Sequence, residues 1–191
     1  MIFCLGGAFN PPTLAHKQIA LSIQSAYLNA AVIFLPVSDA YEKSMASAHH
    51  RVAMLEAMVE KMPNVRVDDL EVHDTVYQGA ISALDRLQGK YGEPIVFVVG
   101  MDQAITLMDW KEADRLLTTH RFLIIQRPGT SAGTLKEIQA KYPQAIYDIL
   151  DLDLAVSSTD YRKTLDPALL DPSVHTYIQT HHLYQEHSWQ D

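Results

Sequence analysis

Ile2-Phe3-Cys4-Leu5-Gly6-Gly7-Ala8-Phe9-Asn10-Pro11-Pro12-Thr13-Leu14-Ala15-His16 joins an apolar run, a glycine pair, two adjacent prolines and the start of a helical pattern. The run Ile2 to Leu5 reads as a strand buried on both faces. Glycines after it let backbone amides approach an anion, and the prolines stiffen the loop. Thr13 and His16 then sit one turn apart at the positive end of a new helix. Taken alone, the same residues also describe an ordinary strand-to-helix turn, with Thr13 as cap and His16 as a satisfied histidine. Neither G-x-G-x-x-G nor G-x-x-x-x-G-K-S/T is present, so neither the dinucleotide fingerprint nor the P-loop is supported.

The same kind of apolar run recurs at Ala31 to Leu35, Val65 to Val67, Ile95 to Val99, Phe122 to Ile125 and Ile146 to Leu150. Between the runs, Ile19, Ile23 and Tyr27, then Val52, Leu55, Val59 and Met62, then Ile81, Leu84 and Leu87 keep helical spacing. Strands mostly buried on both faces and alternating with helices predict an α/β fold with a single doubly wound parallel sheet, Rossmann-like in plan. Ligands of such sheets bind beyond the carboxyl ends of the strands. The loops to inspect are therefore Gly6 to Thr13, Val37 to Ala48, Gly100 to Trp110, Arg127 to Gly133 and Asp151 to Thr159. A terminal helix is expected from Pro172 through Val174, Tyr177, Ile178 and Leu183, within a C-terminal helical segment at about residues 158–187.

With 191 residues and 48% hydrophobic content, one domain over residues 1–191 is expected. Fifteen Lys and Arg against 23 Asp and Glu leave a net charge of -8, which argues against a nucleic-acid or anionic membrane partner. Any anionic ligand must meet positive groups placed locally. The one cysteine, Cys4, excludes an intramolecular disulfide. No signal-type or membrane-length apolar segment is visible, so a soluble, cytoplasmic protein is expected. Homo-oligomerisation is left open.

Near the other end stands Val156-Ser157-Ser158-Thr159-Asp160-Tyr161-Arg162. Hydroxyls at a helix start satisfy orphan amides or face an anion, and an arginine one turn later can reach the same phosphates with a planar fork. A plain cap with a solvated arginine is the alternative. His175, His181, His182 and His187 crowd a polar terminus without cysteine partners or an H-E-x-x-H pattern, so no metal site is assigned to them.

The first loop, GGAFNPPTLAH, resembles the nucleotide-binding loop of the nucleotidyltransferase superfamily, G-G/S-T/S-F-D/N-P-I/V-H/T-x-x-H, and SSTDYR resembles its I-S-S-T-x-x-R signature. Within the superfamily, Pro36-Val37-Ser38-Asp39-Ala40-Tyr41-Glu42-Lys43 followed by His50-Arg51-Val52-Ala53-Met54 is similar to segments of the nicotinamide/nicotinate mononucleotide adenylyltransferases. So are Val98-Val99-Gly100-Met101-Asp102 with Trp110, Gln126-Arg127-Pro128-Gly129, and Val174 to Tyr184. The resemblance covers nearly the whole chain, and in Asn10, Thr13 and the D-A-Y segment it leans toward the eukaryotic-type members.

The resemblance implies adenylyl transfer from ATP to nicotinamide or nicotinate mononucleotide, giving NAD or deamido-NAD plus pyrophosphate. ATP is then the co-substrate, Mg²⁺ is carried by its phosphates, and the partners are small-molecule nucleotides. It further implies that Gly6, Gly7, Ala8, Phe9, Asn10 and Thr13 line the phosphate and pyridine-nucleotide channel. By the same match His16 holds the ATP phosphates, with Lys43 and Arg162 as the other catalytic cations. Gly100 and Asp102 approach ribose or adenosine, Trp110 stacks on the pyridine ring, Arg127 joins the substrate site, and Ser157, Ser158 and Thr159 bind the ATP side. Thr13 replaces the first histidine of the common H-x-x-H form, and Leu70 falls where some relatives carry a second pyridine-side tryptophan. The competing readings are a transferase for another phosphorylated acceptor, opposed by Asp39-Ala40-Tyr41 and Trp110, and a non-catalytic nucleotide-binding regulator, opposed by the retention of His16, Lys43 and Arg162.

Overall fold

The computed structural model describes residues 1–41, 44–126, 133–153 and 156–185. All six expected strands form: β1 Ile2–Gly7, β2 Ala31–Pro36, β3 Val65–Val67, β4 Ile95–Gly100, β5 Arg121–Gln126 and β6 Ile146–Asp151. They belong to one sheet in the order β3-β2-β1-β4-β5-β6, and every pairing described is parallel. That order reverses direction after β1, as in doubly wound nucleotide-binding sheets. By contact density the chain divides into two compact units, Met1–Gly6 with Gln78–Asp153, and Gly7–Tyr77 with Leu154–Asp191.

In the first unit β1, β4 and β5 are buried on both faces, with Phe3, Cys4, Val96 to Val99 and Phe122 to Ile125 in the core. Continuous apolar runs suit such positions because helices cover both sides. Helix α3, Ala80–Tyr91, buries Ile81, Leu84 and Leu87 at the predicted spacing and ends on Gly92, whose left-handed φ of 66° lets its amide close on Gln88. Between β4 and β5 lie the short helices α4, Met101–Ala104, and α5, Ala113–Thr119, and between β5 and β6 lies α6, Gly133–Lys141. Strand β6 departs from expectation. Ile146 and Ile149 are exposed by 53% and 44%, because this is the last strand of the sheet and pairs on one side only.

The second unit holds β2 and β3 with α1, Leu14–Ala26, α2, Ala48–Val59, α7, Ser158–Thr164, and α8, Pro172–Thr180. Ala20, Ile23, Val32 to Phe34, Met54, Leu55 and Val174 are fully buried. Helix α2 stops at Val59, before the expected Met62, and α8 stops at Thr180, before the expected Leu183. Asp171 starts α8 by accepting the Ser173 amide, with Pro172 at the first helical position, where a missing N–H costs nothing. The anticipated segment at 158–187 is thus α7, a 3₁₀ turn at Pro167–Leu169 and α8; residues 186 and 187 lie outside the described residues. No helix among the described residues is long and apolar enough to cross a membrane.

Candidate active site

In the second unit, the loop after β1 is organised by where its carbonyls go. Gly7 accepts from the Val37 amide at 3.0 Å, Ala8 from Arg51 Nη1 at 2.9 Å, Asn10 from Arg162 Nη1 at 2.9 Å, and Pro11 from Ser158 Oγ at 2.7 Å. A planar trans peptide points its N–H opposite to its C=O. Anchoring the Gly7 and Ala8 carbonyls therefore turns the Ala8 and Phe9 amides the other way, as a donor pair for an anion. The residue with left-handed backbone is Phe9, at φ 50°, rather than either glycine. Phe9 is buried, with its ring edge-on to Phe34 and His16 at 5.5 and 5.1 Å. The glycines serve close approach instead: a Cβ on Gly7 would sit 3.4 Å from the Phe9 ring, and one on Gly6 would sit 3.3 Å from the Phe97 ring.

His16 is held by Thr13, which is fully buried. The Thr13 amide donates to His16 Nδ1 at 2.9 Å, and the Thr13 hydroxyl lies 3.0 Å from the same nitrogen. A backbone amide can only donate, so Nδ1 is the unprotonated nitrogen and the ring proton sits on Nε2. His16 thereby fills the third position of a capping box, where Glu or Gln is usual. Thr13, expected in the substrate site, is placed by this geometry behind His16.

Arg162 reaches the loop from α7, where its second nitrogen donates to Thr159 Oγ1 at 3.2 Å. Ser157 caps α7 by accepting the Asp160 amide at 3.1 Å. The hydroxyls of Ser157, Ser158 and Thr159 thus all have protein partners, and the Ser157 amide donates to Asp160 Oδ2 at 3.1 Å, which leaves the amides of Ser158 and Thr159 as the groups this helix start can offer an anion.

Sequence reasoning assigned no site role to Arg51. Its side chain is fully buried and donates to the carbonyls of Ala46, Ala8 and Val37 at 2.9, 2.9 and 2.7 Å, and to Asp39 Oδ1 at 3.1 Å. One guanidinium ties the loops after β1 and β2 to the segment that enters α2. The available signal was periodicity: Arg51, Met54, Leu55 and Met58 share the buried face of α2. A helix does not place a cation on its apolar stripe unless that cation is fully hydrogen-bonded.

In the D-A-Y segment, the Tyr41 ring is edge-on to Tyr77 at 5.0 Å. Burial first, then Glu71 and Tyr41, pushes the Tyr77 phenol up to about 12, so it stays a donor. Leu70 is half-buried, with its amide on Asp68 Oδ1.

In the first unit, Gly100 ends β4 and precedes α4. A Cβ there would run into the Asp102 carboxylate, so glycine is what lets that exposed side chain fold over the strand end. Trp110 is half-buried, edge-on to Phe97 at 6.2 Å, and its indole N–H donates to Thr106 Oγ1 at 3.0 Å. Lys43 and Arg127 lie outside the described residues. Among the described residues no group of three or more His, Cys, Asp or Glu is arranged to hold a metal ion.

The family described as cytidylyltransferase-like matches residues 4–164. A probable nicotinate-nucleotide adenylyltransferase of Oceanobacillus iheyensis is 30% identical over 94% of this chain and 94% of its own. The chain belongs to this family, in its mononucleotide adenylyltransferase branch. As such it is a nucleotidyltransferase. A probable nicotinate-nucleotide adenylyltransferase of Acholeplasma laidlawii is 28% identical over 97% of this chain and 98% of its own. The fold is shared with a Plasmodium falciparum nicotinic acid mononucleotide adenylyltransferase solved with NaAD, at TM-score 0.78 and 23% identity over 96% of both chains.

Proposed function

We propose that this chain joins the AMP of ATP to nicotinate mononucleotide, forming deamido-NAD and releasing pyrophosphate. The observation that carries the reading is the loop after β1, whose carbonyls are drawn back by Val37, Arg51, Arg162 and Ser158 while His16 is held by Thr13. It is supported by the nicotinate-nucleotide names of the nearly coextensive relatives. In the reaction a phosphate oxygen of the mononucleotide attacks the α-phosphorus of ATP. A new P–O bond forms on one side, the bond to the β-phosphate oxygen breaks on the other, and its electron pair leaves with pyrophosphate.

No protein nucleophile is required. Catalysis comes from alignment and from donors placed where negative charge grows. His16 presents its Nε2 proton to the ATP phosphates, Arg162 and Lys43 supply positive charge, and the Ala8 and Phe9 amides complete the cradle. Ser158 and Thr159 contribute through their amides at the start of α7, which Ser157 holds as its cap. Gly100 and Asp102 meet ribose or adenosine, Trp110 stacks on the pyridine, and Arg127 adds a cation. Mg²⁺ bound to the ATP phosphates would neutralise part of their charge, with few ligands required from the protein. The donors around the loop are guanidinium, imidazole and amide groups, which suit phosphate oxygens rather than a hard cation. A cytoplasmic site of action agrees with Cys4, a buried thiol in no disulfide.

The test is chromatography of purified protein with ATP and Mg²⁺, offered nicotinate and nicotinamide mononucleotides in separate reactions. Deamido-NAD and pyrophosphate, formed with higher kcat/KM than NAD, are the expected outcome. Preference for the amide would reassign the substrate, and no dinucleotide from either would remove the proposal.

A further inference from the structure

The Tyr184 hydroxyl donates to Oδ1 of Asn10 at 2.7 Å, across 174 positions of sequence. The Ala46 amide donates to the same atom at 3.1 Å. Since a backbone amide can only donate, the shared atom is the side-chain oxygen, and the tyrosine must be the donor of its own bond. Asn10 is 4% exposed, and its backbone carbonyl is held separately by Arg162. The centre of the phosphate-facing loop is thus fixed at two points, and a tyrosine near the C-terminal end of the described chain secures one of them.

The backbone that delivers this tyrosine is strained. After α8 the Leu183 amide closes back on the Ile178 carbonyl at 3.0 Å. His182 and Tyr184 both take left-handed φ, at 53° and 61°. Such a backbone is unfavourable for any residue but glycine, and persists only where its surroundings over-determine it. Here the Tyr184 ring is 5% exposed and stands edge-on to Tyr161 at 5.8 Å. Burial pushes the phenol well above its ordinary value, so the hydroxyl keeps its proton. A helix that merely ended at Thr180 would need neither left-handed residue.

We propose that Tyr184 is a positioning residue for adenylyl transfer, acting through Asn10 to hold the loop after β1 in the form that meets the nucleotides. This rests on the adenylyltransferase reading above. Without the hydroxyl, the Asn10 oxygen keeps the Ala46 amide alone among the described residues, and the side chain, and the loop with it, is held less firmly.

Tyr184→Phe keeps the ring against Tyr161 and removes one atom. Assayed with ATP and nicotinate mononucleotide at least 10 °C below its thermal midpoint, it should lose about tenfold in kcat/KM for the mononucleotide, chiefly in kcat. In an Asn10→Ala background the same change should cost less than about twofold, because the oxygen through which the hydroxyl acts is already gone. Activity of Tyr184→Phe within about twofold of the unaltered protein, or an equal loss in both backgrounds, overturns the proposal. Should Asn10→Ala fail to fold, kcat of the folded Tyr184→Phe decides alone: a fall supports the assignment and an unchanged value removes it. Absence of turnover by the unaltered protein overturns the adenylyltransferase reading and this proposal together. Turnover by the unaltered protein, matched by Tyr184→Phe, overturns this proposal only.

Discussion

The Thr13 amide and His16 Nδ1, 2.9 Å apart, fix which nitrogen of His16 carries its proton. A neutral imidazole with Nε2–H is a donor that needs no protonation event before it meets a phosphate. His16→Ala should therefore lower kcat by about 10²- to 10³-fold, the range for loss of one preorganised donor, with an unchanged circular dichroism spectrum. Thr13→Val keeps the amide bond and removes only the hydroxyl at 3.0 Å. It should stay within about fivefold of the unaltered kcat, as expected for a neutral hydrogen bond. Steady-state kinetics on the two variants checks both, and a Thr13→Val loss equal to that of His16→Ala would show that the hydroxyl, not the amide, sets the ring.

Arg51 makes the opposite kind of contribution, to stability before chemistry. Replacing it by Met would leave the carbonyls of Ala8, Val37 and Ala46 buried without their donor. Each buried group left unsatisfied costs about 1–3 kcal/mol, so the three together should cost about 3 kcal/mol or more. Urea unfolding of Arg51→Met should show an unfolding free energy lowered by that amount, seen as a lower midpoint at an unaltered slope. Arg51→Lys should fall between, since an ammonium cannot reach three carbonyls in one plane. A loss below about 1 kcal/mol for Arg51→Met would mean that the loops hold themselves together, since that is the net worth of one ordinary hydrogen bond.

This contrast explains what was legible beforehand. Apolar runs such as Ile2 to Leu5 and Ile95 to Val99 announce buried strands because a parallel sheet is covered on both faces, and all six were found. The exposure of β6 was hidden because a run of residues does not say which strand ends the sheet. His16 and Arg162 stood out by their place in motifs. Arg51 and Tyr184 act through bonds to residues 43 and 174 positions away, and no local spacing encodes a contact at that range. The glycine pair signals that backbone can come close to an anion there, but the left-handed turn itself is made by Phe9, which no sequence pattern singles out.

Acid stability should depend on Asp171. Burial alone would raise its carboxyl, but hydrogen bonds from Lys17 and from the Ser173 hydroxyl and amide, with the charge of Lys17, outweigh burial and hold it below the ordinary 3.8. Lys17 Nζ lies 2.5 Å from the carboxylate and ties α1 to the start of α8. A lowered folded value means that the unfolded chain binds the proton more readily. The stabilisation is therefore complete above the unfolded value and is lost as pH falls through the folded one. Asp171→Asn keeps an oxygen for the helix cap and removes the ion pair with Lys17, so it should lower stability at pH 7 by about 1 kcal/mol or less. It should also flatten the decline of the thermal midpoint below about pH 4. Parallel declines for the variant and the unaltered protein would show that other carboxylates govern acid unfolding.

The proposed stacking of Trp110 on the pyridine can be tested separately from the phosphate contacts. Its N–H is tied to Thr106 Oγ1 at 3.0 Å and its ring rests edge-on to Phe97, so the orientation of its face is set before any ligand arrives. Stacking on an aromatic ring contributes to ground state and transition state alike, and its loss belongs in KM. Trp110→Ala should raise KM for nicotinate mononucleotide about tenfold while kcat stays within about threefold and KM for ATP is unmoved. Thr106→Val, which leaves the ring but frees its N–H, should raise the same KM by about threefold, in keeping with one lost neutral hydrogen bond. If Trp110→Ala moved kcat and left both KM values alone, the indole would be supporting the strand end around Gly100 rather than holding the pyridine.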